Sequence, residues 1–211
     1  MKRKMKGQHE VLTLIVMTGI LFGVIASVWL WATPIVEKNK EIFSLSATED
    51  FTKDLAASIN HVAKNGGKVQ LQMNRLDPKG SMLIGQDGID IFVVTQDTIY
   101  EKSVQVPLEE LNCATTEATW GLNSSAAVCV QSDPIGKEKV RTKFSIKFVQ
   151  LNYDNALVQP PEKKGYKITI LPLTSITGLD KSSVRIENKG LQESVVNGRT
   201  LISTLVAITI V

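Results

Sequence analysis

Histidine and cysteine are scarce, two of each in 211 residues, and aromatic residues make up only 6% of the chain. So few soft ligands leave little material for a transition-metal centre or a histidine-dependent active site. His9 and His61 lie about fifty residues apart, and neither has a Cys or His at ligand spacing. Enzymatic signatures are missing too: no P-loop, glycine-rich dinucleotide turn, HExxH or G-x-S-x-G elbow. Gly85-Gln86-Asp87-Gly88 lacks the spaced acidic ligands of a calcium loop. The expectation is a protein that is not an enzyme and uses no metal or cofactor, although a carboxylate pair assembled in three dimensions leaves no linear trace. There is no internal repeat or low-complexity tract. With 43% hydrophobic residues the chain has enough apolar material for a core, which excludes disordered, collagen-like and cysteine-rich miniprotein classes.

An excess of positive charge is absent from most of the chain. The formal charge is +3, but Lys2, Arg3, Lys4 and Lys6 all stand in the first six residues; without the first seven the balance is 24 − 4 = 20 basic against 21 acidic, or −1. The basic character belongs to the tip, and no nucleic-acid partner is expected.

Residues 11–32 carry no charge over 22 positions. As a helix they measure roughly 33 Å, enough to cross a hydrocarbon core. Trp29 and Trp31 stand at the far end, where indoles favour the headgroup layer, and Pro34 follows. The basic tip should remain cytoplasmic, which sends everything after Pro34 outside. Three readings compete for this segment. A cleaved secretory signal needs small residues at its end, and Val28-Trp29-Leu30-Trp31-Ala32-Thr33 is bulky. An uncleaved anchor is the second. The third turns on Lys6-Gly7-Gln8-His9-Glu10, followed directly by Val11-Leu12-Thr13-Leu14-Ile15-Val16.

That junction resembles the class III signal peptide of archaeal type IV pilins and archaellins. The resemblance implies that a prepilin-peptidase-like enzyme cuts between Gly7 and Gln8, with Lys6 and Gly7 as the recognised pair. It implies partners as well: other copies, other pilin-like subunits, the peptidase, the membrane assembly machinery and membrane lipid. Glu10 falls at mature position three, two residues before the glutamate of the more familiar pilins. Independently, a carboxylate at the edge of an apolar helix is costly unless it reaches headgroups or a cation. The new amino group of Gln8 offers one such cation; solvation in the interface is the other outcome. Gly19, Gly23 and Ser27 recur four apart on one helical face, the small-residue pattern that lets membrane helices approach closely.

Past Pro34 the polar run Glu37-Lys38-Asn39-Lys40-Glu41 reads as a linker. Phe51, Leu55, Ile59 and Val62 then form the stripe of an amphipathic helix. Ser46 and Glu49 form a capping box where that helix starts, if it does not continue the first; Asn65-Gly66-Gly67 stops it. From Lys68 the period becomes two, as in Val69, Leu71 and Met73, then Ile89, Ile91 and Val93, then Phe144, Ile146 and Phe148. Ile168 and Ile170, Val184 and Ile186, and the β-branched stretch 200–211 continue it. Turn signals separate the runs at Asp77-Pro78-Lys79-Gly80, Asp87-Gly88, Asp133-Pro134, Pro160-Pro161, Asn188-Lys189-Gly190 and Asn197-Gly198. The expected fold is α+β: a long N-terminal transmembrane helix, then an antiparallel β-sandwich or barrel-like head of about seven to nine strands. The expected division is a leader at 1–7, a transmembrane or filament-core helix at 8–33, a linker and amphipathic helix at 34–66, and an extracellular head at 67–211.

Cys113 and Cys129 both fall in the head, sixteen positions apart. In an oxidising compartment they would close a loop worth about 3 kcal/mol; two unpaired buried thiols are the alternative. Between them Asn123-Ser124-Ser125 is the single N-x-S/T sequon, a site for N-glycosylation. Two function classes follow. One is a structural pilin-like subunit of an extracellular filament, with roles such as surface adhesion. The other is a membrane-tethered extracellular binding module that does not polymerise.

Overall fold

The computed structural model describes the chain apart from residues 1–4, 75, 123, 156–161, 172–173, 180–182 and 197, and describes residues 5–10, 155, 162 and 174–176 by backbone alone. One helix, α1, spans Met5–Asn65 with Pro34 inside it. The helix therefore continues through the segment read as a linker, and of the two alternatives at Ser46, a fresh start or continuation, it continues. Proline costs a helix about 3 kcal/mol through one lost hydrogen bond and a crowded turn. Beside it stands the Glu- and Lys-rich run 37–41, made mostly of strong helix formers, and the helix persists through it. The chain divides into two compact units, Met1–Lys40 and Glu41–Val211.

In the first unit every side chain from 11 to 31 is exposed. This stretch is long and apolar enough to cross a membrane, with mean hydropathy 2.5 over its best window.

In the second unit the rest of α1 joins, among the described residues, twelve strands: β1 (Lys68–Gln72), β2 (Ser81–Ile84), β3 (Gly88–Thr95), β4 (Gln105–Pro107), β5 (Glu117–Thr119), β6 (Ala126–Ile135), β7 (Lys139–Phe148), β8 (Gln150–Asn155), β9 (Glu162–Leu171), β10 (Thr174–Thr177), β11 (Ser183–Val196) and β12 (Arg199–Ile210). They form two six-stranded sheets, ordered β1-β11-β12-β9-β8-β5 and β10-β2-β3-β7-β6-β4. The class is thus α+β. The strands are not all antiparallel: β12 pairs with β9, and β5 with β8, in parallel. Side-chain alternation tells which face a residue occupies, not which way its neighbour runs.

Two expected turns lie inside strands. Asp133-Pro134 belongs to β6, at a point where β7 pairs on one side while β4 reaches only Gln131 on the other; proline is tolerated where no second strand needs its N–H. Asn188-Lys189-Gly190 is a bulge in β11, with Gly190 supplying the left-handed φ of 102°. The turn at Asp77 forms as expected, with the Gly80 N–H donating to the Asp77 carbonyl at 2.8 Å. Pro160-Pro161 and Asn197 lie outside the described residues.

Phe51, Leu55, Ile59 and Val62 are buried as the stripe predicted, joined by Leu45 and Ala56. They share one core with Ile89, Ile91, Phe144 and Ile146 of one sheet and Ile170, Val184, Ile186 and Val206 of the other. The helix ends at Asn65, where the Gly66 N–H bonds the Val62 carbonyl at 2.9 Å. The Asn188 amide then caps the Val62 carbonyl at 3.0 Å, tying the bulge to the helix end.

Candidate functional site

The helix face comes first. A Cβ built on Gly19 or Gly23 meets nothing within 4 Å, so no packing within the chain accounts for glycine at either position. Ser27 donates its hydroxyl to the Gly23 carbonyl at 2.7 Å, Thr18 to the Leu14 carbonyl at 2.9 Å and Thr33 to the Trp29 carbonyl at 2.8 Å. Each of these hydroxyls is satisfied inside its own helix, and the face presents small, bond-satisfied groups. The side chains of Lys6, Gly7, Gln8, His9 and Glu10 lie outside the described residues, although their backbone belongs to α1.

In the head, Cys113 and Cys129 are bonded, their Cα atoms 5.9 Å apart. Cys129 lies in β6, so the bond ties the segment carrying Cys113 to that strand. The sequon residue Asn123 lies outside the described residues, but its neighbours do not. Asn60 of α1 donates its amide to the Ser124 hydroxyl at 2.9 Å and accepts the Ser125 hydroxyl at 2.8 Å. Asn60 and Ser125 are both buried.

A second polar cluster has Glu49 at its centre. One oxygen accepts from Lys53 at 2.6 Å and the other from the Tyr100 hydroxyl at 2.5 Å, while the Tyr100 ring meets Phe144 edge-on at 5.7 Å. Burial pushes the Glu49 carboxyl up, but the bonds from Lys53 and Tyr100 outweigh it and hold the group below its ordinary value. Burial, and then the Glu49 carboxylate, push the Tyr100 phenol far above its ordinary range. Burial also raises Glu109, against the nearby Lys53. Of the two outcomes open for Glu49, a helix start or a continuing helix, the second holds: it stands mid-helix and locks α1 to the segment before β4. Nothing in the sequence marks Tyr100 as its partner, since the two are 51 positions apart.

A cleft of about 540 Å³ opens where the turn between β2 and β3 meets the junction of β7 and β8. Gly88 is required at its base, because a Cβ there would stand 2.2 Å from the Ile146 carbonyl oxygen. Lys167 and Asp87 pair at 2.6 Å on the rim, with Asp90, Glu117 and Lys147 nearby. No histidine or cysteine lines the cleft. Among the described residues, no three His, Cys, Asp or Glu side chains gather as a metal would require. His61 faces Asn65 across 3.0 Å on the exposed side of α1. The arrangement offers hydrogen-bond donors, acceptors and charges of both signs at the cleft, and an exposed apolar stretch at residues 11–31 of α1. No protein family, curated protein or solved structure matches this chain.

Proposed function

We propose that this chain is a structural pilin-like subunit, major or minor, of an archaeal-type extracellular filament related to type IV pili, serving roles such as surface adhesion. The observation that carries the reading is the two fates of one helix. Its apolar residues between 11 and 31 are all exposed, while Leu45, Phe51, Leu55, Ile59 and Val62 join the core of a folded head. A plain anchor needs only to be apolar. This one also carries Lys6-Gly7 ahead of it, and Gly19 and Gly23 where an added Cβ would meet nothing within 4 Å. In the proposal the peptidase frees Gln8, the segment 8–33 holds the subunit in the membrane with its N-terminus cytoplasmic, and it later packs among its copies in a filament core. The head lies outside, its two sheets closing around the C-terminal part of α1 as an open sandwich or half-barrel; the single core shared by both sheets and the helix supports that reading. The disulfide suits the same compartment.

Amino-terminal sequencing of the membrane-bound protein tests maturation: the expected start is Gln8, and a start at Met1 in cells with active peptidase refutes it. Shearing cells that carry the native assembly machinery, then imaging the released material, tests the filament. One observation favours a second reading, a tethered binding module that never polymerises. The cleft beside Gly88 is large enough for a small ligand. That reading predicts ligand binding by the head and no released filaments.

A further inference from the structure

The edges of both sheets are short. β1, β5, β10 and β4 run five, three, four and three residues, the ordinary defence against edge-to-edge association. Among the described residues, the longest uncovered stretch of strand lies in β11. β1 covers it only from Ser183 to Glu187, with one more bond from the Asn188 N–H to the Gly67 carbonyl at 3.1 Å. Beyond that point residues 190–196 pair with β12 on one side and, among the described residues, with nothing on the other, and all eight of residues 189–196 are exposed.

The bulge decides what this edge shows. Ser183 and Val211 exchange both backbone bonds, so Ser183, Arg185 and Glu187 bond β12, while the residues between them turn toward β1. The extra residue at Lys189 inverts the alternation: Gly190, Gln192, Ser194 and Val196 bond β12, and Leu191, Glu193 and Val195 turn their N–H and C=O outward. By the same register, Leu191 and Val195 fall on the sheet face that buries Val184 and Ile186, yet they are 68% and 74% exposed. The sheet therefore continues, backbone unpaired and apolar face uncovered, past the part that the head fills.

We propose that this edge receives a strand from a second copy of the chain and so joins neighbouring heads; the proposal rests on the filament reading. The occupant follows from the size of the edge. Eight residues make an edge about 27 Å long, and a sheet about 10 Å thick gives a contact on the order of 300 Å² per partner. A standard stable interface buries about 800 Å² per partner. A freely diffusing protein cannot be held by so little. A copy already fixed alongside through α1 can be, because its effective concentration is set by the tether. The eight residues carry one Lys and one Glu, so two copies meet there without net charge repulsion.

The test uses the full-length chain in cells with the native assembly machinery and a photo-crosslinking amino acid at Val195. Filaments are sheared, irradiated and digested, and the joined peptides identified by mass spectrometry. The expected product joins Val195 to a peptide of another copy. Two variants close the edge without touching β12. Glu193→Pro removes an outward N–H, and Val195→Lys, with the crosslinker moved to Leu191, puts a charge on the strand. Each should lower the copy-to-copy product at least tenfold while filaments still form; Gln192→Pro, which breaks a bond to β12, should disturb the head itself. Filaments whose crosslinks reach only lipid or unrelated proteins, or whose yield is indifferent to both variants, overturn the inference and leave the filament reading standing. Absence of filaments from the parent chain overturns the filament reading, and this inference with it.

Discussion

Leu21 and Leu55 stand on the same helix; Leu21 is 59% exposed and Leu55 fully buried. The first belongs to a stretch in which every residue is exposed, the second to a core shared by α1 and both sheets. Burial of a leucine contributes roughly 1.5–3 kcal/mol, so the head is stabilised by its own packing. The exposed N-terminal stretch gains no such burial in the described chain, and in the proposed reading it takes it from lipid or from other copies. One helix thus carries an exposed apolar stretch and a buried one, and in that reading folding and assembly divide between them.

The strongest way to break that division is at Leu55. Leu55→Ala should cost the head about 2–5 kcal/mol, as cavities in packed cores do, read as a lower denaturant midpoint. Leu21→Ala should leave that midpoint unchanged. Equal losses from both would mean that the N-terminal stretch packs on the head.

Next in size is the Cys113–Cys129 bond, which constrains the unfolded head and not the N-terminal stretch. Its reduction should cost about 3 kcal/mol for a loop of this length. Unfolding in the presence and absence of reductant, with alkylation to confirm free thiols, measures it. An unchanged midpoint would show that the segment around Cys113 is held by its other contacts alone.

Both halves of the helix were legible in sequence, for different reasons. A run of 22 uncharged residues needs only counting, and Phe51, Leu55, Ile59 and Val62 needed only the helical period. Alternation likewise located Ile89, Ile91 and Val93, and Phe144, Ile146 and Phe148, on the buried face. Reading failed where one local signal serves two structures. Pro34 suits a helix end as well as a position inside one; Asp133-Pro134 suits a turn and also a strand with one free side; Asn188-Lys189-Gly190 suits a turn and also a bulge. The parallel pairing of β9 with β12 and the contacts of Asn60 and Tyr100 depend on partners distant in sequence, and no local pattern carries them.

Asn60 and Ser27 sharpen the contrast with polar groups. Both bond a carbonyl four residues back, but Asn60 also holds Ser124 and Ser125 in a buried setting. Asn60→Ala leaves those groups without their partner and should cost about 1–3 kcal/mol. Ser27→Ala should cost the head nothing. A smaller effect is expected at Tyr100, which is partly open to water: Tyr100→Phe should cost about 1 kcal/mol at neutral pH. The phenol's folded pKa is raised, so its contribution is complete below about pH 10 and is lost as pH rises above it. The parent head should therefore weaken more than Tyr100→Phe between pH 9 and 11, and the two midpoints should converge. At the acid end Glu49, held low, loses its contribution as pH falls through its folded value, whereas Glu109, held high, is relieved by protonation. The two act in opposite directions as pH falls, so Glu49→Gln should leave the head less sensitive to acid than the parent.

The smallest effect on the fold, and the one most informative about function, is at the glycines. Gly19→Leu and Gly23→Leu add a side chain where the chain itself offers no obstacle. In a helix, leucine is favoured over glycine by close to 1 kcal/mol, so α1 should form at least as readily and the head's midpoint should not move. Lipid tails accept leucine as readily as they accept the existing face, and membrane fractionation should match the parent. Only a neighbour that approaches the backbone at these positions can register the change, because close helix contact in an apolar medium depends on small residues at the crossing. Filament yield in sheared material should therefore fall for both variants, while membrane level and head stability stay constant. Ala at either position, being small, should fall between the parent and Leu. If Gly19→Leu, Gly23→Leu and the parent release equal amounts of filament, the small face is not the contact, and the helices must meet on another side.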